Sequence, residues 1–177
     1  MPSPPFETIF LCTGNSARSI IAESILRQLG GDRFRAHSAG SHPKGAVHPM
    51  ALAVLAEYRY PTDGLRSKSW DEFAADGSVA HLDFVFTVCD DAAGEACPAW
   101  PGRPMTAHWG LPDPAAVKGS TAQQPSAFRR ALVDLEHRIG LFTSLPAAEF
   151  DRIALKTRLD EIGRSAAPGT GAGEPAR

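Results

Sequence analysis

The sequence is poor in cysteine, since its 177 residues contain only Cys12, Cys89 and Cys97. An odd number this small does not suit a structural disulfide framework. The absence of any Cys-x2-Cys pair also argues against a structural zinc site. In a reducing compartment such cysteines more often act as catalytic residues or metal ligands, so the segments around them are the first candidates for a functional site.

The sequence also lacks a charge excess and a long hydrophobic run. Lys and Arg number 18 against 20 Asp and Glu, and the formal charge of -2 argues against a general nucleic-acid or membrane-surface binder. No apolar run reaches the ~20 residues that span a bilayer, and the opening MPSPPFETIF lacks the basic and apolar blocks of a signal peptide. We therefore expect a cytoplasmic protein without nucleic-acid or membrane partners.

What is present is an alternation of strand-like and helix-like segments. Short β-branched and aromatic runs predict strands at residues 6–12, 33–41, 82–89 and 105–109. Apolar positions at helical spacing predict helices at residues 16–31, 47–58, 126–142 and 146–163, and a short helix or turn at 67–77 with Ser69 as its cap. The alternation predicts an open parallel α/β sheet, whose ligands bind beyond the carboxyl ends of the strands.

The length is enough for one sizeable core and too short for two confident domains. We expect residues 1–163 to form a single domain, with Cys12 and Cys89 both at the carboxyl edge of its sheet. Residues 164–177 are rich in Gly, Pro and Ala and carry no core pattern, which predicts a disordered tail.

The segment CTGNSARS, residues 12–19, joins a predicted strand to a predicted helix and contains the pattern Cys-x5-Arg. Its backbone N–H groups and the Arg18 guanidinium can surround a tetrahedral oxyanion that lies above Cys12. These N–H groups, Arg18 and the helix dipole are expected to lower the pKa of the Cys12 thiol. The alternative is a buried strand-end cysteine followed by a solvated arginine. The candidate oxyanion-binding residues are Thr13, Gly14, Asn15, Ser16, Ala17, Arg18 and Ser19.

A nucleophile that attacks an oxyanion needs a proton donor for the leaving oxygen. Asp113, in the segment LPDPAA, follows a predicted short strand, and Pro114 stiffens its loop. The alternative is an Asp-Pro turn without chemistry. Asp90 and Asp91 compete for the role, but they directly follow Cys89 and look more like residues that start a helix.

The segment VCDDAAGEACP, residues 88–98, holds the other two cysteines. If it is helical, Cys89 and Cys97 lie ~12 Å apart, and the helix must unwind before they can form a disulfide. Gly94 lowers the stability of such a helix, so the segment is a candidate redox switch. The alternatives are two inert thiols, or a zinc site that combines the three cysteines with His108.

Four motifs, CTGNSARS, SAGSHP, VFTVCDDAAGEACP and HWGLPDPAA, resemble those of the arsenate reductases built on the low-molecular-weight protein tyrosine phosphatase fold. The resemblance covers about residues 6–163 and implies a four-stranded parallel sheet flanked by helices. It implies arsenate reduction, as in arsenic detoxification, by a relay in which Cys12 attacks arsenate, Asp113 protonates the departing oxygen, Cys89 attacks Cys12 and Cys97 attacks Cys89. Thioredoxin, glutaredoxin or a low-molecular-weight thiol would supply the electrons, with no tightly bound cofactor.

Three details qualify the resemblance. Some relatives have a further cysteine where this chain has Ala17, and the spacing of Cys89 and Cys97 is one residue longer than in some thioredoxin-linked relatives, which leaves the reductant open. Some relatives bind potassium beside the loop, although each matching residue here also has an ordinary structural explanation. The matching residues are Asn15, Glu23, Ser38 and Asp71.

Two other functions are alternatives to arsenate reduction. The same loop, Arg18 and Asp113 would serve a phosphatase for phosphotyrosine or small phosphoesters. Against it, the adjacent tyrosines that phosphatases usually carry after the Asp-Pro motif are missing, since the two tyrosines of this chain are Tyr58 and Tyr60. The second is a redox-sensing or oxyanion-binding module, for which no effector segment is evident.

Overall fold

The computed structural model describes residues 3–74, 79–90, 94, 99–117, 123–146 and 152–167. Within these residues, four parallel strands form one sheet in the order β2-β1-β3-β4. This confirms the predicted α/β class and the four-stranded parallel sheet. The strands are β1 (Phe6–Cys12), β2 (Phe34–Gly40), β3 (Phe84–Thr87) and β4 (Met105–His108).

The register of the sheet determines where the candidate residues meet. β1 lies between β2 and β3, with Cys12 opposite Gly40 and Leu11 opposite Thr87. Cys89 follows the end of β3 by two residues. Cys12 and Cys89 therefore lie at the same carboxyl edge of the sheet, as the sequence predicts.

The predicted helices are confirmed with small shifts at their ends, and residues 147–151 of the helix predicted at 146–163 lie outside the described residues. Pro49 opens the second one, where its missing N–H costs no hydrogen bond. Ser69 caps a 3-10 turn at Trp70–Phe73, because its hydroxyl accepts the N–H of Asp71 at 3.2 Å. The helices are α1 (Arg18–Leu29), α2 (Pro49–Glu57), α3 (Gln123–Thr143) and α4 (Arg152–Gly163).

Successive side chains of β1 enter two different cores, because strand side chains alternate between the faces of a sheet. Phe10 stacks on Phe86 in a core that includes apolar residues of all four helices. Ile9 and Leu11 pack on the other face against residues of the Trp70–Phe73 turn. Close packing on both faces gives the end of β1 a fixed position, and the residues that follow it begin the candidate site.

The segment that follows α4 begins with ordered contacts. Arg138 of α3 donates from Nε to the carbonyl of Ser165 at 3.3 Å, and Ala167 is buried. Residues 168–177 lie outside the described residues, so the tail at 164–177 and the domain boundary at 163 stay predictions. None of the helices in the described part of the chain is long and apolar enough to cross a membrane.

Candidate active site

The loop between β1 and α1 is held from outside through its carbonyl groups. The carbonyls of Thr13, Gly14 and Ser16 accept backbone N–H groups from a neighbouring segment, residues 42–48, each at 2.9 Å. Carbonyls that are bonded on the outer side cannot also point toward Cys12. The inner side is therefore left to N–H groups, which is the polarity that an oxyanion requires.

Asn15 gives the loop its sharp bend. Its φ of 42° lies in the left-handed region, which asparagine tolerates better than most residues. Its buried side chain donates from Nδ2 to Ser19 Oγ at 2.8 Å and to Ser38 Oγ at 3.0 Å, and Oδ1 accepts the N–H of Lys68 at 2.9 Å. The Asn15 side chain thus shapes the loop from behind and has no group free for a substrate.

Arg18 is the first residue of α1 and closes the loop. Its Nη1 donates to the Leu111 carbonyl at 3.0 Å, and its Nη2 lies 3.7 Å from Asp113 Oδ2. Its Nε is buried and has no hydrogen-bond partner among the described residues. A buried guanidinium nitrogen without a partner is costly, and a bound oxyanion would satisfy it.

The structure brings Asp113 to Arg18, as the sequence predicts. Asp113 precedes a 3-10 turn, Pro114–Ala116, and its carboxylate accepts the N–H of Ala115 at 3.0 Å. Its second oxygen is the one that faces Arg18. Arg18, Cys89 and Asp113 line one open cavity of about 520 Å³. The Asp113 carboxyl group is therefore held in place by its hydrogen bond with the Ala115 N–H and lies beside Arg18 in this cavity.

Cys89 lies against the same loop. Its sulfur accepts the backbone N–H of Thr13 at 3.3 Å and lies 3.6 Å from the Thr13 hydroxyl. Cys12 and Cys89 are both reduced and buried. The two cysteines, 77 positions apart in the sequence, therefore meet at one point of the sheet edge.

The protonation of Cys12 differs from the prediction. Its pKa is raised, first by the hydrogen bond with Cys89 and then by burial, whereas Arg18 and the Gly14 N–H act in the opposite direction. The predicted lowering is therefore wrong for the reduced pair. The physical reason is that the Cys12 thiol is hydrogen-bonded to the neighbouring Cys89 sulfur and buried, and both conditions favour the protonated form.

Of the segment 90–98, which the sequence analysis considers as a helix, the structure describes only Asp90 and Gly94. Asp90 and Gly94 have helical backbone, while Asp91 and Cys97 lie outside the described residues. Asp90 is bound by His108, whose Nε2 lies 2.8 Å from its Oδ1 and whose Nδ1 lies 2.7 Å from Thr87 Oγ1. Both ring nitrogens of His108 are thus engaged. In the described ranges no group of three His, Cys, Asp or Glu side chains is arranged to hold a metal ion.

A polar cluster lies behind the loop, and one of its members was missed by the sequence reasoning. Glu23 and Ser38 are both buried there, with the Ser38 hydroxyl donating to Glu23 at 3.1 Å. The missed residue is Lys68, whose ammonium lies 3.4 Å from Ser38 Oγ. Asp71, which the resemblance adds to this group, is exposed at the Trp70–Phe73 turn. A lysine between two serines looks like a solvated loop residue, so the sequence offers no signal for its burial.

Residues 7–152 match the model of the low molecular weight phosphotyrosine protein phosphatase family. The chain belongs to this family. An arsenate reductase of Halalkalibacterium halodurans is 35% identical over 133 residues, which cover 75% of this chain and 91% of that protein. The resemblance stated from the motifs is thereby confirmed.

Solved structures agree with this assignment. An arsenate reductase in an oxidised state superimposes with a TM-score of 0.63 at 25% identity, covering 78% of this chain and 96% of the other. A thioredoxin-dependent arsenate reductase of Corynebacterium glutamicum gives a TM-score of 0.55 at 25% identity. That match covers 78% of this chain and only 60% of the longer Corynebacterium chain.

Proposed function

We propose that this protein reduces arsenate to arsenite through a relay of three cysteines. The observation that carries the proposal is the position of Cys89, whose sulfur is 3.3 Å from the backbone nitrogen of Thr13. Thr13 belongs to the loop between β1 and α1, which we call the anion loop. A phosphatase needs one thiol beneath its oxyanion, whereas an electron relay needs a second within reach of the first. Relatives named arsenate reductases, at 33% and 35% identity over 75% of the chain, support the same reaction.

The first step forms a bond between Cys12 sulfur and arsenic. Arsenate lies among the loop N–H groups and Arg18, whose unpartnered Nε supplies one donor. As Cys12 attacks, its proton passes to an oxygen of the bound arsenate. One As–O bond breaks, and Asp113 protonates that oxygen so that it leaves as water. Arsenic remains As(V) in this adduct.

The second step carries the electrons. Cys89 sulfur attacks Cys12 sulfur, so a disulfide forms while the bond between Cys12 and arsenic breaks. The electron pair of the broken bond goes to arsenic, which becomes As(III), and the two thiols are oxidised in the same act. The Cys89 proton passes to an oxygen of the departing arsenite. Contact of Cys89 with the loop before any substrate binds favours this step, because little motion is required.

The third step transfers the disulfide from Cys12 to Cys97. Cys97 attacks Cys89, which releases the Cys12 thiolate and forms a disulfide between Cys89 and Cys97. This step follows from the sequence alone, because Cys97 lies outside the described residues. A dithiol protein such as thioredoxin then reduces the disulfide. The relay requires thiols that are kept reduced, as they are in the cytoplasm, and we place the enzyme there.

The proposal is tested by coupling the protein to thioredoxin, thioredoxin reductase and NADPH. Arsenate should cause sustained NADPH oxidation with arsenite as product, and phosphate should compete without causing oxidation. The second candidate is a phosphoester phosphatase, which the shared loop and the family favour. Sustained hydrolysis of p-nitrophenyl phosphate without any arsenate-dependent NADPH oxidation would establish that candidate and contradict ours.

A further inference from the structure

Lys68 is a buried lysine immediately behind the anion loop, with 8% of its surface exposed. Its backbone ties two parts of the site together, because its N–H donates to Asn15 Oδ1 at 2.9 Å and its carbonyl accepts the N–H of Gly40 at 2.9 Å. Its ammonium donates to the Arg66 carbonyl at 3.0 Å and lies 3.4 Å from Ser38 Oγ. The backbone and the side chain of Lys68 are therefore both fixed by hydrogen bonds.

The ammonium faces a buried carboxylate across Ser38. Glu23 is 5% exposed and accepts the Ser38 hydroxyl. Burial raises the pKa of Glu23, and the charge of Lys68 is the strongest influence that lowers it again. Burial likewise lowers the pKa of Lys68, and Glu23 is the strongest influence that raises it. Arg27 also approaches Glu23, at 3.7 Å, but from a more exposed position. Each member of the buried pair thus stabilises the charged form of the other.

The same side chains do not fit a potassium ion. Potassium would need lone pairs of Ser38 Oγ, but that oxygen already accepts Asn15 Nδ2 at 3.0 Å and the Lys68 ammonium. A cation beside Ser38 would also meet the ammonium 3.4 Å from Ser38 Oγ. The exposed Asp71 adds no ligand from within this cluster.

We infer that Lys68 is a built-in cation that positions the anion loop, supplying from the chain itself the charge that a bound monovalent cation would supply beside Glu23 and Asn15. The ammonium compensates Glu23, Glu23 orients Ser38, and Ser38 holds Asn15 at the bend of the loop. This inference concerns the shape of the loop whatever reaction it carries. A negative result for Lys68 would therefore leave the proposal of arsenate reduction standing. Failure of that proposal would likewise leave the inference about Lys68 standing.

The test compares Lys68→Met with Lys156→Met, which removes the same charge from an exposed pair with Asp160. Melting temperature and affinity for inorganic phosphate are measured in KCl and in N-methylglucamine chloride at equal ionic strength. The wild type and Lys156→Met should each show the same melting temperature and the same phosphate affinity in both salts. Lys68→Met should melt about 5 °C lower or more, because a buried carboxylate loses its counter-charge. It should also bind phosphate several-fold more weakly.

Potassium distinguishes a positioning cation from a merely structural lysine. In Lys68→Met, KCl should raise the melting temperature and restore part of the phosphate affinity, because a cation can then enter beside Glu23. The inference is overturned if the wild type gains as much from potassium as the variant, or if Lys68→Met matches the wild type in both measurements.

If Lys68→Met does not fold, the double variant Lys68→Met with Glu23→Gln decides the matter. Removal of both charges should recover most of the lost stability, because an uncompensated buried charge costs more than a missing pair. A double variant that is no more stable than Lys68→Met would equally overturn the inference.

Discussion

The backbone N–H of Thr13 donates to the sulfur of Cys89 at 3.3 Å, although the two residues are 76 positions apart in the chain. An amide of the anion loop thus holds the second thiol beside Cys12. Cys89 is also the largest cause of the raised pKa of Cys12, because the two side chains are hydrogen-bonded. The resting site is a coupled pair of sulfurs, and the pair is what separates a relay from a simple nucleophile.

Cys89→Ala should lower the pKa of Cys12, because it removes the hydrogen bond that raises it most while Arg18 and the Gly14 N–H remain. The rate of Cys12 alkylation by iodoacetamide should therefore reach its midpoint at a lower pH. The measurement is made in a Cys97→Ser background, and mass spectrometry of the peptides follows alkylation of Cys12 separately from that of Cys89. Thr13→Val in the same background is the control, and a midpoint that stays in place or rises after Cys89→Ala would contradict the coupling.

Arg18→Lys should weaken arsenate and phosphate binding by roughly 10- to 100-fold. Lysine retains the charge but loses the fork that reaches the oxyanion and the Leu111 carbonyl together. Isothermal titration with inorganic phosphate measures the loss. Arg129→Lys, in an exposed pair with Glu57, is the matched control and should bind like the wild type. Equal affinities in Arg18→Lys and the wild type would remove Arg18 from the binding site.

Asp113→Asn should reduce arsenate turnover by about 100-fold or more, because an amide cannot protonate the leaving oxygen. The cap should survive, since Asn can still accept the N–H of Ala115, so the melting temperature should change little. Steady-state assays with arsenate, together with thermal melts, separate the two effects. Asp160→Asn in α4, where the carboxylate pairs with Lys156, is the control. Unchanged turnover in Asp113→Asn would mean that another group donates the proton.

Gly40→Ala should distort the loop. A Cβ at this position would lie 2.5 Å from the Thr13 carbonyl oxygen and 2.9 Å from that of Cys12, and neither backbone atom can yield easily. We expect a clear fall in both melting temperature and phosphate affinity. The control is Gly140→Ala in α3, where no described atom lies within 4 Å of the new Cβ and alanine favours the helix. Gly140→Ala should raise the melting temperature slightly. If Gly40→Ala also left the melting temperature and the phosphate affinity unreduced, the close contact of Gly40 with the loop carbonyls would be contradicted.

Local patterns in the sequence account for most of the fold and for part of the site. The strands, the helices and the left-handed Asn15 follow from short-range rules on periodicity, capping and residue conformation. The shared sheet edge of Cys12 and Cys89 follows from parallel topology. These features need no knowledge of distant contacts, so a single sequence is sufficient to predict them.

The electrostatic features of the site could not be predicted in the same way. The raised pKa of Cys12 depends on the contact with Cys89, and the burial of Lys68 depends on the packing of its segment behind Asn15. Both arise when elements far apart in the chain come together. The contact between Arg18 and the Leu111 carbonyl could not be predicted either, because the sequence carries no signal for which backbone carbonyl a side chain will contact.

The most direct test of the relay is a single turnover of Cys97→Ser with arsenate and no reductant. We predict one equivalent of arsenite per enzyme and a trapped disulfide between Cys12 and Cys89, seen by mass spectrometry of the peptides. The wild type should instead accumulate the disulfide between Cys89 and Cys97. Continued turnover of Cys97→Ser with thioredoxin at the wild-type rate, or arsenite release without any disulfide to Cys12, would contradict the account.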